Sequence, residues 1–265
     1  MIIVMEGATN ARDLGGIVTP FGKIKMQRLI RCGHLHKITE HDVQILRQNK
    51  LQRVVDLRTE LEQAKSPDAK INGVQYVTTP IMSATTFGIT YETSSGEEIG
   101  KMLQAGIQRM LARGEDPKCH LEILYRKFAN EQVSLVGYGS FLKLLANTPV
   151  EGSTLWHCSA GKDRVGTCTA LLLHCLGASK EQILDDYLLT NEQNKPFVDM
   201  VMYKIRGTLD DEQIALIQGM LSVKESYLQS FWTEIEQRYG SVDGFISACG
   251  VTQTDIAKLR KNYLE

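Results

Sequence analysis

Hydrophobic and polar positions change period along the 265-residue chain, and the changes mark out its elements. Short runs rich in β-branched residues predict strands at Leu51-Gln-Arg-Val54-Val55-Asp56-Leu57, at Val74–Thr79 and at Ser153-Thr-Leu155-Trp156-His157. Thr39 reads as an N-cap with Asp42 three residues on, so Val43, Ile45 and Leu46 place a helix over residues 40–48. Behind the third strand, residues 165–176 are apolar on almost every face, which predicts a buried helix closed by Gly177. Ser179-Lys-Glu-Gln182 is a capping box that opens the next helix. Helical periodicity continues through 180–190, 211–221 and 224–239, and a last helix starts after Thr252 with Asp255 in its first turn. Gly and Pro between Leu14 and Lys23 predict a turn joining short strands. Residues 83–135 mix loop chemistry (Thr85-Thr86, Ser94-Ser95-Gly96) with helical stretches near 100–112 and 121–129, and read as a lid-like insertion.

Strands in the first 160 residues followed by helices predict a layered α/β domain. No repeat or linker divides it, so 1–265 reads as a single domain. Composition agrees: 43% hydrophobic and 23% charged residues exclude a disordered, collagenous or coiled-coil chain. Thirty Lys+Arg against thirty-one Asp+Glu leave a net charge of -1, which predicts no nucleic-acid partner. No apolar run approaches the ~20 residues of a membrane span, so no membrane insertion is expected. The six cysteines show no paired CxxC spacing, and the start has no recognisable signal peptide, so a reduced, cytoplasmic setting is expected.

The candidate chemistry lies between the third strand and the buried helix: His157-Cys158-Ser159-Ala160-Gly161-Lys162-Asp163-Arg164-Val165-Gly166. A cysteine at a helix N-terminus is favoured as a thiolate. Successive backbone N–H groups from Ser159 to Arg164 would form an anion cradle at the positive end of the helix dipole. Gly161 permits the tight turn, and Arg164 supplies a planar fork for two oxygens of a tetrahedral anion. Cys32, His34 and His36 alternate like residues on one strand face, but three ligands without a fourth read as packing. His174-Cys175, Trp156, Trp232 and the charged run from Glu234 to Arg238 likewise read as packing or solvated surface.

HCSAGKDR resembles the phosphate-binding signature of cysteine-dependent protein tyrosine phosphatases. Flanking pieces make the chain similar to the bacterial tyrosine/serine phosphatases: Asn10-Ala-Arg12-Asp13-Leu14-Gly15-Gly16, Val55-Asp56-Leu57-Arg58 with Glu62, Asp186-Tyr-Leu-Leu-Thr-Asn191, Glu225-Ser-Tyr-Leu228 and Arg238-Tyr-Gly-Ser241. The resemblance implies a short, mostly parallel central sheet flanked by helices. It also implies phosphomonoester hydrolysis without metal or cofactor, through a cysteinyl-phosphate on Cys158. Ser159, Ala160, Gly161, Lys162, Asp163 and Arg164 would hold the phosphate oxygens, with His157 bracing the loop and Arg12, Asp13 and Arg58 in support. Two carboxylates compete to protonate the leaving oxygen: Asp56, favoured as the aspartate of the DLR motif, and Asp163. Lys162 resembles the loop lysine of tensin-like phosphoinositide phosphatases, which implies phosphoinositides as substrates beside phosphorylated proteins. The family usually places Ser or Thr after the arginine, where this chain has Val165. That departure points to slow breakdown of the phosphoenzyme, and its limit is a catalytically weak phosphate-binding module.

Overall fold

The computed structural model describes residues 1–83, 96–207 and 209–265. Four short strands open the chain: β1 (Arg12–Asp13), β2 (Val18–Thr19), β3 (Gly22–Lys23) and β4 (Leu29–Cys32). Then come α1 (Glu40–Gln48), β5 (Leu51–Asp56), α2 (Glu60–Lys65) and β6 (Gln75–Thr78). Helices α3 (Gly96–Ala112), α4 (His120–Asn130) and α5 (Gln132–Asn147) precede β7 (Ser153–His157). The remainder is helical: α6 (Asp163–Leu176), α7 (Lys180–Ile205), α8 (Asp211–Leu221), α9 (Glu225–Tyr239), α10 (Val242–Ala248) and α11 (Gln253–Tyr263).

Strands β1-β4-β7-β5-β6 form one sheet, and β2 and β3 pair as a hairpin. Within the sheet only β1 is antiparallel; β4, β7, β5 and β6 run parallel. All five residues of β7 are buried, as the central strand of a sheet covered on both faces must be. Alternation along β7 divides its side chains between two cores. Trp156 enters a large cluster with residues of α4, α5, α6, α9 and α11, while Leu155 enters a smaller one with Ile30, Cys32, Leu46 and Val54. The C-terminal ends of parallel strands are where α/β folds place their ligands, and β7 ends at His157, one residue before Cys158.

Expected boundaries recur where the signals are local. Thr39, Ser179 and Thr252 each close a capping box, Gly177 terminates α6 at φ 89, and Thr59 closes a further box that was not expected. Helix α5 carries no comparable signal, because Gly137 and Gly139 interrupt its pattern. A Cβ at those positions would lie 2.3 Å from the Pro80 carbonyl oxygen and 2.0 Å from that of Cys249, so both glycines serve close backbone approach.

The described helices of region 83–135 pack in two different places. Thr85-Thr86 and Ser94-Ser95 lie outside the described residues. Helix α4 belongs to the main core, through Leu121, Leu124, Tyr125, Phe128 and Ala129. Helix α3 instead joins a third cluster: Leu103, Ile107 and Met110 pack on Val201 and Ile205 of α7 and on Ile217, Met220 and Leu221 of α8. Likewise β4 ends at Cys32, so His34 and His36 lie in the following loop, where their rings stand 4.2 Å apart.

Candidate active site

Between Cys158 and Arg164 the chain closes a loop in which the carbonyls of Cys158, Ala160, Gly161 and Lys162 are tied outward. His157 Nδ1 lies 3.2 Å from the Cys158 oxygen, and Asn194 of α7 donates to the Ala160 oxygen at 3.4 Å. Asn10 Nδ2 and an Arg31 N–H meet the Gly161 oxygen at 2.7 and 3.0 Å, and the Gly166 N–H takes that of Lys162 at 2.8 Å. Turning these oxygens away leaves the N–H groups facing the inside. Among the described residues no backbone carbonyl accepts from Ser159, Ala160, Gly161 or Lys162, which is the arrangement of an anion nest. Gly161 makes the turn possible: at φ +64, its Cβ would lie 2.6 Å from the Cys32 carbonyl. Asn10 reaches the loop from a left-handed φ of 59, a conformation asparagine tolerates.

Arg164 is held from the front by Glu62. The two guanidinium termini donate to the two carboxylate oxygens, each at 2.7 Å, and Ser159 Oγ donates to the same carboxylate at 2.8 Å. Burial works against the Glu62 charge, but Arg164 holds its pKa down to about 2. Burial likewise disfavours the Arg164 charge, and the neighbouring Cys158 and Glu62 more than compensate, so its pKa rises. Glu62 also caps α2, accepting from the Thr59 N–H at 3.0 Å. Its position three residues after Thr59 was a readable capping signal; its grip on Arg164 was not.

Behind the loop, Asp186 of α7 joins two buried guanidiniums, Arg12 at 2.7 Å and Arg31 beside it. Burial, then Arg12, lowers the Arg31 pKa to about 10, with Asp186 opposing. Arg12 thus connects to the loop through Asn10, whose amide donates to the Gly161 carbonyl. Arg31 was missed, although an arginine inside the buried run Leu-Ile-Arg-Cys is itself a signal. Asp13 is not brought to the loop; it accepts from the Gly15 and Gln27 N–H groups at 3.0 and 2.6 Å.

Asp56 ends β5 beside the loop, but its oxygens are taken. Arg58 Nε contacts both, at 3.0 and 3.1 Å, and its terminal nitrogen meets Oδ2 at 2.8 Å. Arg58 continues to Asp68 at 2.7 Å and to the Ser66 carbonyl at 2.8 Å. Asp56, Asp68 and His157 have the makings of a metal site among the described residues, but the Arg58 guanidinium already sits between the two carboxylates. Asp163 is placed differently. It lies on the loop with its side chain 22% exposed, accepting from Tyr125 Oη at 2.9 Å, and Tyr187 Oη donates to that Tyr125 oxygen at 2.7 Å.

Lys162, expected at the phosphate, has other partners. Lys162 Nζ donates to the carbonyls of Met220 and Ser222, the second at 3.2 Å, at the end of α8. Val165 is fully buried in the main core. The nearby Thr167 hydroxyl donates to the Asp163 and Arg164 carbonyls at 3.2 Å, and accepts from Tyr138 at 2.9 Å.

A buried cysteine that opens an anion loop, with a clamped arginine at the loop's other end heading a buried helix, defines a phosphate-handling site. The model of the tyrosine phosphatase family matches residues 3–265, and the chain belongs to that family. It is 28% identical over 266 residues to a candidate tyrosine-protein phosphatase of Cupriavidus necator, covering 99% of this chain and 88% of that protein. It is 26% identical over 281 residues to the triple specificity protein phosphatase PtpB of Mycobacterium tuberculosis, covering 97% and 96%. A tyrosine-protein phosphatase of Nostoc commune is 23% identical over 240 residues, covering 89% and 74%. The chain is thus an enzyme of the phosphatase class, with a mostly parallel sheet flanked by helices as its fold. No described helix is long and apolar enough to cross a membrane.

Proposed function

We propose that the protein hydrolyses phosphomonoesters without metal, through a cysteinyl-phosphate on Cys158, with phosphotyrosine in proteins as substrate and phosphoserine, phosphothreonine and phosphoinositides as extensions of the range. The observation that carries this is the closed loop from Cys158 to Arg164 with Glu62 on the guanidinium. The Cys158 thiolate attacks phosphorus as the ester P–O bond breaks, and the leaving oxygen takes a proton from Asp163. Water then attacks the phosphoenzyme, returns a proton to Asp163 and releases phosphate and thiolate. Backbone N–H groups and Arg164 hold the equatorial oxygens throughout.

The proton donor is here moved from Asp56 to Asp163. A carboxylate locked in a guanidinium fork is poorly placed to carry a proton, and Asp56 is in that position. Asp163 lies on the loop, and one of its oxygens accepts from a tyrosine hydroxyl. Asp163→Asn should slow a phosphate ester with a poor leaving group by about 10²–10⁴ while sparing an activated aryl ester. Asp56→Asn should slow both alike; the reverse pattern restores Asp56. Lys162 supports the phosphoinositide extension only by leaving the α8 carbonyls for a second phosphate. Lys162→Ala should therefore harm inositol phosphates more than an aryl phosphate, and an even loss removes that extension.

The first test is aryl phosphate hydrolysis with EDTA present. Turnover that survives EDTA and disappears in Cys158→Ser is the expected result. No turnover in the wild type, with vanadate still bound, would replace this reading with the phosphate-binding module.

A further inference from the structure

His157 faces an acceptor on each side of its ring. Nδ1 lies 3.2 Å from the Cys158 carbonyl oxygen, and Nε2 lies 2.9 Å from Asp68 Oδ2. The Cys158 carbonyl accepts a hydrogen bond from Nδ1, and the Asp68 carboxylate stands at ion-pair distance from Nε2 without hydrogen-bond alignment, so the two contacts are favourable together when the ring is an imidazolium. The charge count around the ring gives the same answer. The groups facing it are Asp56 of β5 at 3.8 Å, Arg58 of the following loop, Asp68 of the loop after α2, and His34 of the loop after β4. Asp56 and Asp68 share one guanidinium, and burial takes the His34 pKa down to about 3, which leaves that ring neutral. One negative charge remains in a buried cluster, and an imidazolium at His157 balances it.

Asp68 is the member of this cluster that no sequence signal marks. Its side chain is 4% exposed and bridges Arg58, at 2.7 Å, and His157. The loop that carries it is tied down by Arg58 on the Ser66 carbonyl and by the Ala69 N–H on the Leu35 carbonyl at 3.3 Å. We propose that Asp68 is a positioning residue for Cys158, acting through His157: it fixes the ring as an imidazolium whose Nδ1–H holds the Cys158 carbonyl and whose charge lies behind the sulfur. The inference rests on Cys158 as the nucleophile, the proposed function above. Burial opposes charge on both groups; Asp56 and then Asp68 overcome it to raise the His157 pKa, and His157 with Arg58 overcomes it to lower that of Asp68.

The test reads the thiolate directly. Wild type and Asp68→Asn are alkylated with iodoacetamide across a pH series, and the Cys158 peptide is followed by mass spectrometry. Cys119, exposed on the same chain, is the internal reference. Losing the imidazolium should move the Cys158 midpoint to higher pH by about one unit, an alkylation rate about tenfold lower at pH values below both midpoints. Cys119 should not change, and Asp68→Glu should restore most of the difference. The sign is decisive, because an aspartate acting only through its own field would disfavour the thiolate. Its removal would then move the midpoint to lower pH; that result, or no shift, overturns the proposal.

If Asp68→Asn does not fold, ring-nitrogen NMR of histidine-labelled wild type decides instead. A His157 ring doubly protonated at pH 7.5 is expected, and a singly protonated ring there rejects the role. Alkylation requires no ester hydrolysis. A wild type that turns over no phosphate but shows the alkaline shift would reject the phosphatase reading and leave this one standing.

Discussion

Two arginine–aspartate networks flank the phosphate loop, built from the same residue types in opposite proportion. In one, Asp186 serves two guanidiniums, Arg12 and Arg31, for a net charge of +1. In the other, Arg58 serves two carboxylates, Asp56 and Asp68, for a net charge of −1. The first applies its surplus directly, since Arg31 donates to the Gly161 carbonyl at 3.0 Å. The second is completed by His157, whose ring reaches the Cys158 carbonyl. Both end with a cationic group behind the loop, one permanent and one titratable. Stoichiometry, rather than the number of ion pairs, sets the field at a buried site.

Removing Asp186 is the strongest way to break the comparison. Asp186→Asn leaves two buried guanidiniums facing each other and should lower stability by about 3–5 kcal/mol. Arg31→Met leaves a neutral Arg12–Asp186 pair and should lower it by less, about 2 kcal/mol, because relief of the repulsion from Arg12 offsets part of its two charged hydrogen bonds, to Asp186 and to the Gly161 carbonyl. Urea midpoints at unchanged slope measure both, and equal losses would show that the surplus charge has no effect.

The second network should reveal itself through pH. The folded His157 pKa is raised, so the imidazolium contributes stability that is complete below the ordinary value of 6.5 and fades as pH climbs through the raised one. As pH rises above the ordinary histidine value of 6.5, the wild type should lose stability more steeply than His157→Gln. Parallel curves would remove the charge-balance argument.

The smallest effect concerns neither network. Val165 places no hydroxyl after Arg164, and the Thr167 hydroxyl is engaged with helix carbonyls. Pre-steady-state hydrolysis should show a product burst followed by slower turnover, and Val165→Thr should remove the burst with less than about a tenfold change in rate. A wild type without a burst would show that the valine does not slow phosphoenzyme breakdown.

What could be read from the residues was local. The Thr39–Asp42 box, the β7 run, the apolar helix behind it and Gly177 each signal within a few positions, and the loop between β7 and α6 inherits their clarity. What could not be read depends on distant partners. The glycines of α5 make sense only against Pro80 and Cys249. Asp56 matched a motif, yet its role depends on Arg58 folding back onto it. Lys162 reads as a phosphate ligand until α8 brings two carbonyls to its ammonium. Asp68 has no signature, because its partners come from another strand and from the loop on the other side of α2.

Glu62 has a consequence for how such a chain can change over generations. One carboxylate starts α2 and also sets the pose of Arg164. Replacing it is felt twice, once in folding and once in chemistry, so a second substitution that repaired only the helix start would rescue nothing. Position 62 is therefore closed to gradual drift. The surrounding helix can wander in sequence, but only around that one fixed point.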